Sequence, residues 1–507
     1  MADMIRFDPY SILGVSRSAT EDDIKKAHRK LAQRLHPDKN RDNMGAALQF
    51  QDVSLAYDTL SDPNKRKQYD QYALEKEKNT TDTYFTLRVT PSRRALAPLP
   101  EEQVLYLLAE IFPAPVANKV EKVEASLNLC LVIDTSNSMK GARIERVKVA
   151  AQRIIDNLSA NDVLSIVVFN DRASVVIPAE KVTDKTSLKA RVSMITPSGG
   201  TEIYHGLQEG FRQVQVFATP RSVNSILLLT DGHTYGDQDA CLSLASQAMD
   251  NGVVISCMGL GHDWNDEFLD KVASVTGGST TFINSADSVI RFLNDHVRSL
   301  ANVFADKMQL TVAPDPDIHL EMAFRLSPNP QPLSIDNHII PLSSLQPNRP
   351  ISVLLQFLLP ANMAVTFRTL ARLVVSGEIL QNQSPSFKSV SDLSIEIAQT
   401  PASDEPPGAI MDALSKLTLY RLQERAKESL ARGDIVEATR RLNHLATRLL
   451  EQGEHNLAQQ TLIEAQKIAQ TRAFSAQARM TIKYETRALL GPGGLEAAIT
   501  SYISPDS

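Results

Sequence analysis

The apolar run Leu127-Asn-Leu-Cys-Leu-Val-Ile133, ending abruptly in Asp134-Thr-Ser-Asn-Ser138, constrains this chain more than any other stretch. It reads as a buried strand that stops in a carboxylate and two hydroxyls. Two later places repeat the design: Ser198-Gly-Gly-Thr201 opens a helical segment, and Ile226-Leu-Leu-Leu-Thr-Asp231-Gly232 is another buried strand ending in a carboxylate. Strand, polar loop and helix alternate from 127 to 302, the signature of a parallel sheet with helices on both faces. Further strands are expected at Asp162 to Phe169 and Val253 to Met258, with helices over 143–158, 202–217, 239–250, 264–275 and 286–302. In such sheets ligands bind beyond the carboxyl ends of the strands, where these oxygen-bearing residues would converge.

Oxygen donors without imidazole or thiol suit a hard cation that keeps some positions for water or a partner's oxygen, which favours Mg²⁺ or Mn²⁺. Asp134-x-Ser136-x-Ser138, followed by Thr201 and Asp231, resembles the metal-ion-dependent adhesion site of von Willebrand factor A domains. The resemblance implies a Rossmann-like α/β fold in which the serines and threonine bind the metal directly and the aspartates bind it directly or through water. A carboxylate of a protein partner would complete the octahedron. A dehalogenase-type phosphatase would want a second Asp where Ser136 stands. His205 and His233 read as ordinary loop residues.

Residues 1–72 carry short amphipathic helices and a loop with His36-Pro37-Asp38. Thr20, ahead of Glu21, Asp22 and Asp23, is a natural helix cap with acids at the positive end. Ile24, Ala27, Leu31 and Leu35 keep helical spacing, while the remaining face presents Lys25, Lys26, Arg29, Lys30 and Arg34. Pro37 ends that helix. Together with Tyr10-x-x-Leu13-x-Val15, Phe50, Ala56-Tyr57, Leu60-Ser-Asp62 and Lys65-Arg-Lys-Gln-Tyr-Asp70, this pattern resembles the J domain of the DnaJ family. It departs mildly at His28 and Leu35, where an aromatic is common. The resemblance implies that the His-Pro-Asp loop and the basic helix dock on a DnaK-type chaperone and stimulate its ATPase, and complementary charge suits fast, salt-sensitive association.

No glycine/phenylalanine-rich spacer or cysteine-rich module follows, so client selection falls to the rest of the chain. A polar linker is expected over 73–83. Alternating segments at 84–90 and 104–111, and again at 308–312, 351–359 and 367–375, read as strands. Thirteen of the 26 prolines lie between 314 and 407, excluding long helices there. The two flanks, 84–124 and 304–400, are expected to pair into one β-sandwich with the α/β domain (125–303) inserted between them, or else to form separate small sheets. After a linker at 401–408, a helical domain (409–490) is punctuated by Gly433 and Gly453 at helix-stop positions. Arg432-Gly433-Asp434 reads as a helix stop and cap rather than an integrin-recognition tripeptide. Residues 491–507 form the expected flexible tail.

With a formal net charge of -6, nothing in the charge balance points to general nucleic-acid binding. No stretch of 18 apolar residues and no signal-peptide run occurs, so neither membrane insertion nor export is expected and a cytoplasmic location is. Cys130, Cys241 and Cys257 lack metal-binding spacing and read as reduced packing residues. No catalytic constellation emerges. The chain therefore reads as a non-enzymatic co-chaperone that recruits a DnaK-type chaperone and grips an unidentified partner or client through a metal-bound acidic residue. Its alternatives are a regulatory subunit working with an AAA ATPase, and a passive scaffold with a vestigial J domain.

Overall fold

The computed structural model describes residues 9–13, 15, 19–36, 44–67, 69–70, 84–113, 126–219, 222–234, 236–285, 288–342, 344–347, 349–380, 386–401 and 406–490. Pro37, Asp38, the 73–83 linker and the 491–507 tail lie outside them. The N-terminal helices are α1 (Pro9–Leu13), α2 (Glu21–Leu35) and α3 (Met44–Leu60). Tyr10, Leu13, Ile24, Val53, Ala56 and Leu60 make their shared core. Thr20 caps α2 reciprocally: the Asp23 amide donates to its hydroxyl at 3.3 Å, and its own amide donates to Asp23 Oδ2 at 3.0 Å.

The flanks do form one sandwich. Its first sheet orders β1 (Phe85–Pro91), β3 (Gln103–Pro113), β14 (Ile351–Leu359), β11 (His319–Ser327) and β12 (Gln331–Pro332). The second orders β13 (Ile339–Pro341), β10 (Ala305–Pro314), β15 (Phe367–Ile379), β16 (Ser386–Ile397) and β2 (Ala95–Leu96). Strands from both sides of the insertion pair directly, β3 with β14 from Ile111↔Ile351 to Gln103↔Leu359, and β2 with β16 at Ala95↔Glu396. Inward-facing residues such as Leu105, Leu107, Val353, Leu355, Leu373 and Val375 fill the space between the sheets.

The inserted α/β domain is built on β4 (Ser126–Asp134), β5 (Val163–Phe169), β6 (Ala173–Lys181), β7 (Ser222–Thr230), β8 (Val253–Leu260) and β9 (Thr280–Ile283), in the order β6-β5-β4-β7-β8-β9. The expected parallel sheet needs one correction: β6 runs antiparallel to β5. A tight turn, in which the Asn170 amide donates to Arg172 O at 3.0 Å, folds β6 back as an edge strand. Its half-exposed residues hid it from a search for buried runs. Helices α4 (Ala142–Asn157), α5 (Lys185–Ser193), α6 (Ile203–Phe217), α7 (Gln238–Asp250), α8 (Asp266–Val275) and α9 (Ser288–Ala301) cover the sheet, burying a separate apolar cluster on each face. Of these, α5 was not expected.

The C-terminal helices are α10 (Gly408–Ala431), α11 (Ile435–Glu451), α12 (His455–Thr471) and α13 (Ala476–Leu490). Gly433 (φ +81°) and Gly453 (φ +83°) adopt the left-handed conformation that stops α10 and α11. The Asp434 side chain accepts from the Glu437 amide at 3.0 Å and caps α11, so Arg432-Gly433-Asp434 is a helix stop and cap. The bundle touches the sandwich and the α/β domain. From α10, Ile410, Ala413, Leu417 and Tyr420 pack on Leu108, Phe324, Leu326 and Leu354 of the sandwich, and Met480 and Tyr484 of α13 join the Trp264 face of the α/β domain.

Candidate functional site

Chain order places the site. From β4 the chain moves outward to β5 and β6, then crosses to the other side of β4 to lay down β7, so the reversal falls between β4 and β7. A crevice opens at such a switch point, beyond the carboxyl ends of the strands. Because β4 and β7 run parallel through Ile133↔Leu229, Asp134 and Asp231 emerge side by side.

Asp134 is fully buried; its Oδ1 accepts from the Ser136 amide at 2.8 Å and its Oδ2 from the Thr230 hydroxyl at 2.7 Å. Burial pushes its carboxyl up from the ordinary range, the hydrogen bonds pull it down, and neighbouring Asp231 adds to the rise. Ser136 Oγ lies 2.8 Å from Ser138 Oγ, and Ser138 Oγ donates to Asp231 Oδ1 at 2.6 Å. Thr201 Oγ1 sits beside Gly232, at 3.4 Å from where a Cβ on that glycine would lie. The structure thus brings Asp134, Ser136, Ser138, Thr201 and Asp231 to one end of the sheet.

Backbone bonds tie the Asp134 loop to the Ser198 loop and to the end of β5. The Ser198 amide donates to Thr135 O at 2.6 Å, that of Asn137 to Gly199 O at 3.1 Å, and that of Thr135 to Phe169 O at 2.8 Å. In Ser198-Gly-Gly-Thr201 the first glycine is required by its backbone and the second packs closely on a side chain. Gly199 has φ +81°, and a Cβ on Gly199 or Gly200 would stand 2.6 or 2.5 Å from the Asp171 carboxylate oxygens. Asp171 Oδ1 in turn accepts from the Gly200 amide at 3.0 Å.

The donor set fits a hard divalent cation: two buried carboxylates and three hydroxyls, with no imidazole or thiol among the bonded groups. Among the described residues no cluster of three or more His, Cys, Asp or Glu offers a metal centre, so a cation here must rely on the hydroxyls. His205 lies within the first turn of α6, not in a loop, 3.2 Å from Glu202, and His233 lies 3.4 Å from Asp263. All three cysteines are buried and unlinked, and burial pushes their thiols up, Cys130 to about 12. Sequence reasoning missed Thr230 and Arg143. The first sits one residue before Asp231 and reads as strand; Arg143, whose guanidinium pairs with Asp231, has no signal in its spacing.

On the N-terminal unit, Lys25, Lys26, Arg29 and Lys30 are exposed along α2. They lead to His36 at its C-cap, exposed, with its ring 5.7 Å edge-on from Phe50. Arg34 lies in the last turn of α2. The His28 ring stacks on Tyr57 at 4.0 Å, so the departure at this position keeps a flat ring against α3. Tyr10 OH donates to Asp70 Oδ1 at 2.9 Å and accepts from Arg66 Nε at 2.8 Å, which ties α1 to the segment after α3.

A six-stranded sheet with acid-tipped switch-point strands is the architecture of the von Willebrand factor A class, and the helices at the N-terminus have the J-domain arrangement. Comparison with known proteins agrees. Residues 8–70 match the DnaJ domain model, 128–296 the von Willebrand factor type A domain model, and 408–492 the Sll0103-like C-terminal alpha-helical domain model. The chain therefore fuses a J domain to an A domain on one polypeptide. An uncharacterized protein, sll0103, from Synechocystis is 33% identical over 215 residues, 42% of this chain and 51% of that protein. The chaperone protein DnaJ of Neisseria meningitidis is 58% identical over 65 residues, 13% of this chain and 17% of its own length. The chain thus spans about half of the first relative and far less of the second. In fold it is similar to a von Willebrand factor type A protein from Catenulispora acidiphila, with TM-score 0.63 and 16% identity over 79% of this chain and 96% of that one. It is likewise similar to the ArnB paralog VWA2 from Sulfolobus acidocaldarius, with TM-score 0.51 and 14% identity over 80% of this chain and 98% of that one.

Proposed function

We propose that this protein is a co-chaperone without chemistry of its own, which recruits a DnaK-type chaperone through its J domain, stimulates its ATPase, and presents it with a protein held on the A domain. The observation that carries the reading is the presence of both modules in one chain, with the acidic and hydroxyl groups of three A-domain loops gathered at one sheet end. Asp134, Ser136, Ser138, Thr201 and Asp231 would hold Mg²⁺ or Mn²⁺, and the bound cation would supply a coordination position for an acidic side chain of the partner. Lys25, Lys26, Arg29, Lys30 and Arg34, with the His36-Pro37-Asp38 loop, would dock the chaperone; complementary charge there speeds encounter and fixes register. Among the described residues no helix is long and apolar enough to cross a membrane, and we place the protein in the cytoplasm.

Two measurements test the two halves separately. Purified protein should stimulate the ATPase of a DnaK-type chaperone, and His36→Gln should return the rate to the unstimulated level while leaving the circular dichroism unchanged. Full stimulation by that variant sinks the recruiting half. Partner capture from lysate should be lost in EDTA and in Asp134→Ala; identical captures with and without divalent metal sink the gripping half.

A further inference from the structure

The carboxylate of Asp231 already has a cation. Its Oδ2 pairs with Arg143 Nη1, while the same nitrogen donates to Ser138 O at 3.1 Å. Arg143 is the second residue of α4, which follows the Asp134–Ser138 loop through Gly141. Its guanidinium does not simply extend into water: it rests on Gly261 (φ +75°), where a Cβ would stand 3.1 Å from Nη2. The Asp231 side chain is 0% exposed and that of Arg143 is 44% exposed. The arginine therefore closes the solvent side of the cluster and neutralises a carboxylate that would otherwise be buried beside Asp134.

A divalent cation held by Asp231 would stand within a few ångströms of this guanidinium, and two cations so close in a partly dry site repel strongly. Metal and guanidinium are thus alternatives for one carboxylate oxygen. We propose that Arg143 is a tethered competitor cation, which balances Asp231 when no metal is bound, must swing outward to admit one, and so sets the affinity of the site. This rests on the metal reading above. The half-exposed side chain has open solvent to move into. Its departure is felt at the next loop, because Gly261 O accepts the indole N–H of Trp264 at 2.9 Å. Trp264 is the sole tryptophan of the sequence and is fully buried, so its fluorescence reports on that loop.

The test titrates Mn²⁺ alone into the full chain by calorimetry and electron paramagnetic resonance. The wild type is compared with Arg143→Gln, Arg143→Lys and Asp134→Asn. Losing a charged hydrogen bond to the competitor should tighten Mn²⁺ binding in Arg143→Gln by roughly tenfold. Arg143→Lys should stay near wild type, and Asp134→Asn should lose the site. Metal-free Arg143→Gln should melt below wild type, with the gap closing at saturating Mn²⁺, and the Trp264 emission change that accompanies Mn²⁺ binding in the wild type should shrink in this variant. Equal or weaker Mn²⁺ binding by Arg143→Gln overturns the competition. If Asp134→Asn still abolishes binding in that event, the metal site survives without it; if neither wild type nor Arg143→Gln binds Mn²⁺, both readings fall.

Discussion

Arg325 is buried completely, yet its guanidinium is bonded only to carbonyl oxygens: Gly277 O at 2.9 Å, Gly278 O at 2.8 Å and Asn329 O at 2.9 Å. Burial pushes it down to about 9. It projects from β11 of the sandwich into the turn between α8 and β9 of the A domain, and Gln331 from β12 also donates to Gly278 O, at 2.7 Å. Gly278 cannot yield, since a Cβ there would stand 2.0 Å from Ile255 O. Arg325→Met should leave the carbonyls of Gly277 and Asn329 without their arginine donor, Gly278 O keeping Gln331, and destabilise the protein by about 2–4 kcal/mol, measured as a shift of the urea midpoint at unchanged slope. Residues of this kind are where sequence reading stops. Asp134, Ser136, Ser138, Thr201 and Asp231 were legible because each ends a buried strand or opens a helix, so local pattern marks it. Arg325 and Arg143 are fixed by carbonyls and carboxylates from distant loops, and no local spacing carries that information.

At the scale of elements, α13 is held to α8 by a buried cluster of ion pairs. Lys483 pairs with Asp266 and lies 3.0 Å from Asp270 Oδ2, Arg479 reaches Asp266 Oδ1 at 3.0 Å, and Arg487 Nη1 donates to Asp270 Oδ1 at 2.9 Å. Burial alone would push Asp270 up, but Arg487 and Lys483 outweigh it and hold the carboxyl below its ordinary 3.8. A depressed carboxylate stabilises fully above its unfolded value and loses that contribution as pH falls toward its folded one. The cluster should therefore be intact at neutral pH and weaken only below about pH 4. Asp270→Asn leaves Arg487 and Lys483 with one buried carboxylate fewer and should cost about 3–5 kcal/mol at pH 7. The difference from wild type should shrink in melts run below pH 4, and a constant difference from pH 7 to 3 would refute the assignment. Helix existence and the stops at Gly433 and Gly453 were readable from period and punctuation. The antiparallel β6 was not, because an edge strand with one wet face lacks the continuous apolar run that marked β4 and β7.

For the whole molecule, the C-terminal bundle acts as a strap across two units. One end, α10, covers Leu108, Phe324, Leu326 and Leu354 on the sandwich, and the other, α13, covers Trp264 on the A domain. Arg487 joins the two helices by donating to Tyr420 OH at 3.3 Å. A chain ending at residue 407 should therefore expose an apolar patch, bind 1-anilinonaphthalene-8-sulfonate and aggregate, whereas removal of residues 1–83 should do neither. Size-exclusion profiles and dye fluorescence of the two truncations check this. That residues 409–490 were helical could be read from the sequence. Where it would lie could not, because its buried face is defined by the surfaces it meets.

The A domain leaves the sandwich from β3 in one sheet and rejoins it at β10 in the other. A pull on its outer, acid-tipped end is consequently shared between two covalent tethers, each anchored in a different half of the same core. A load applied there would meet the hydrogen-bonded ladders of both sheets at once instead of peeling the core open from one end.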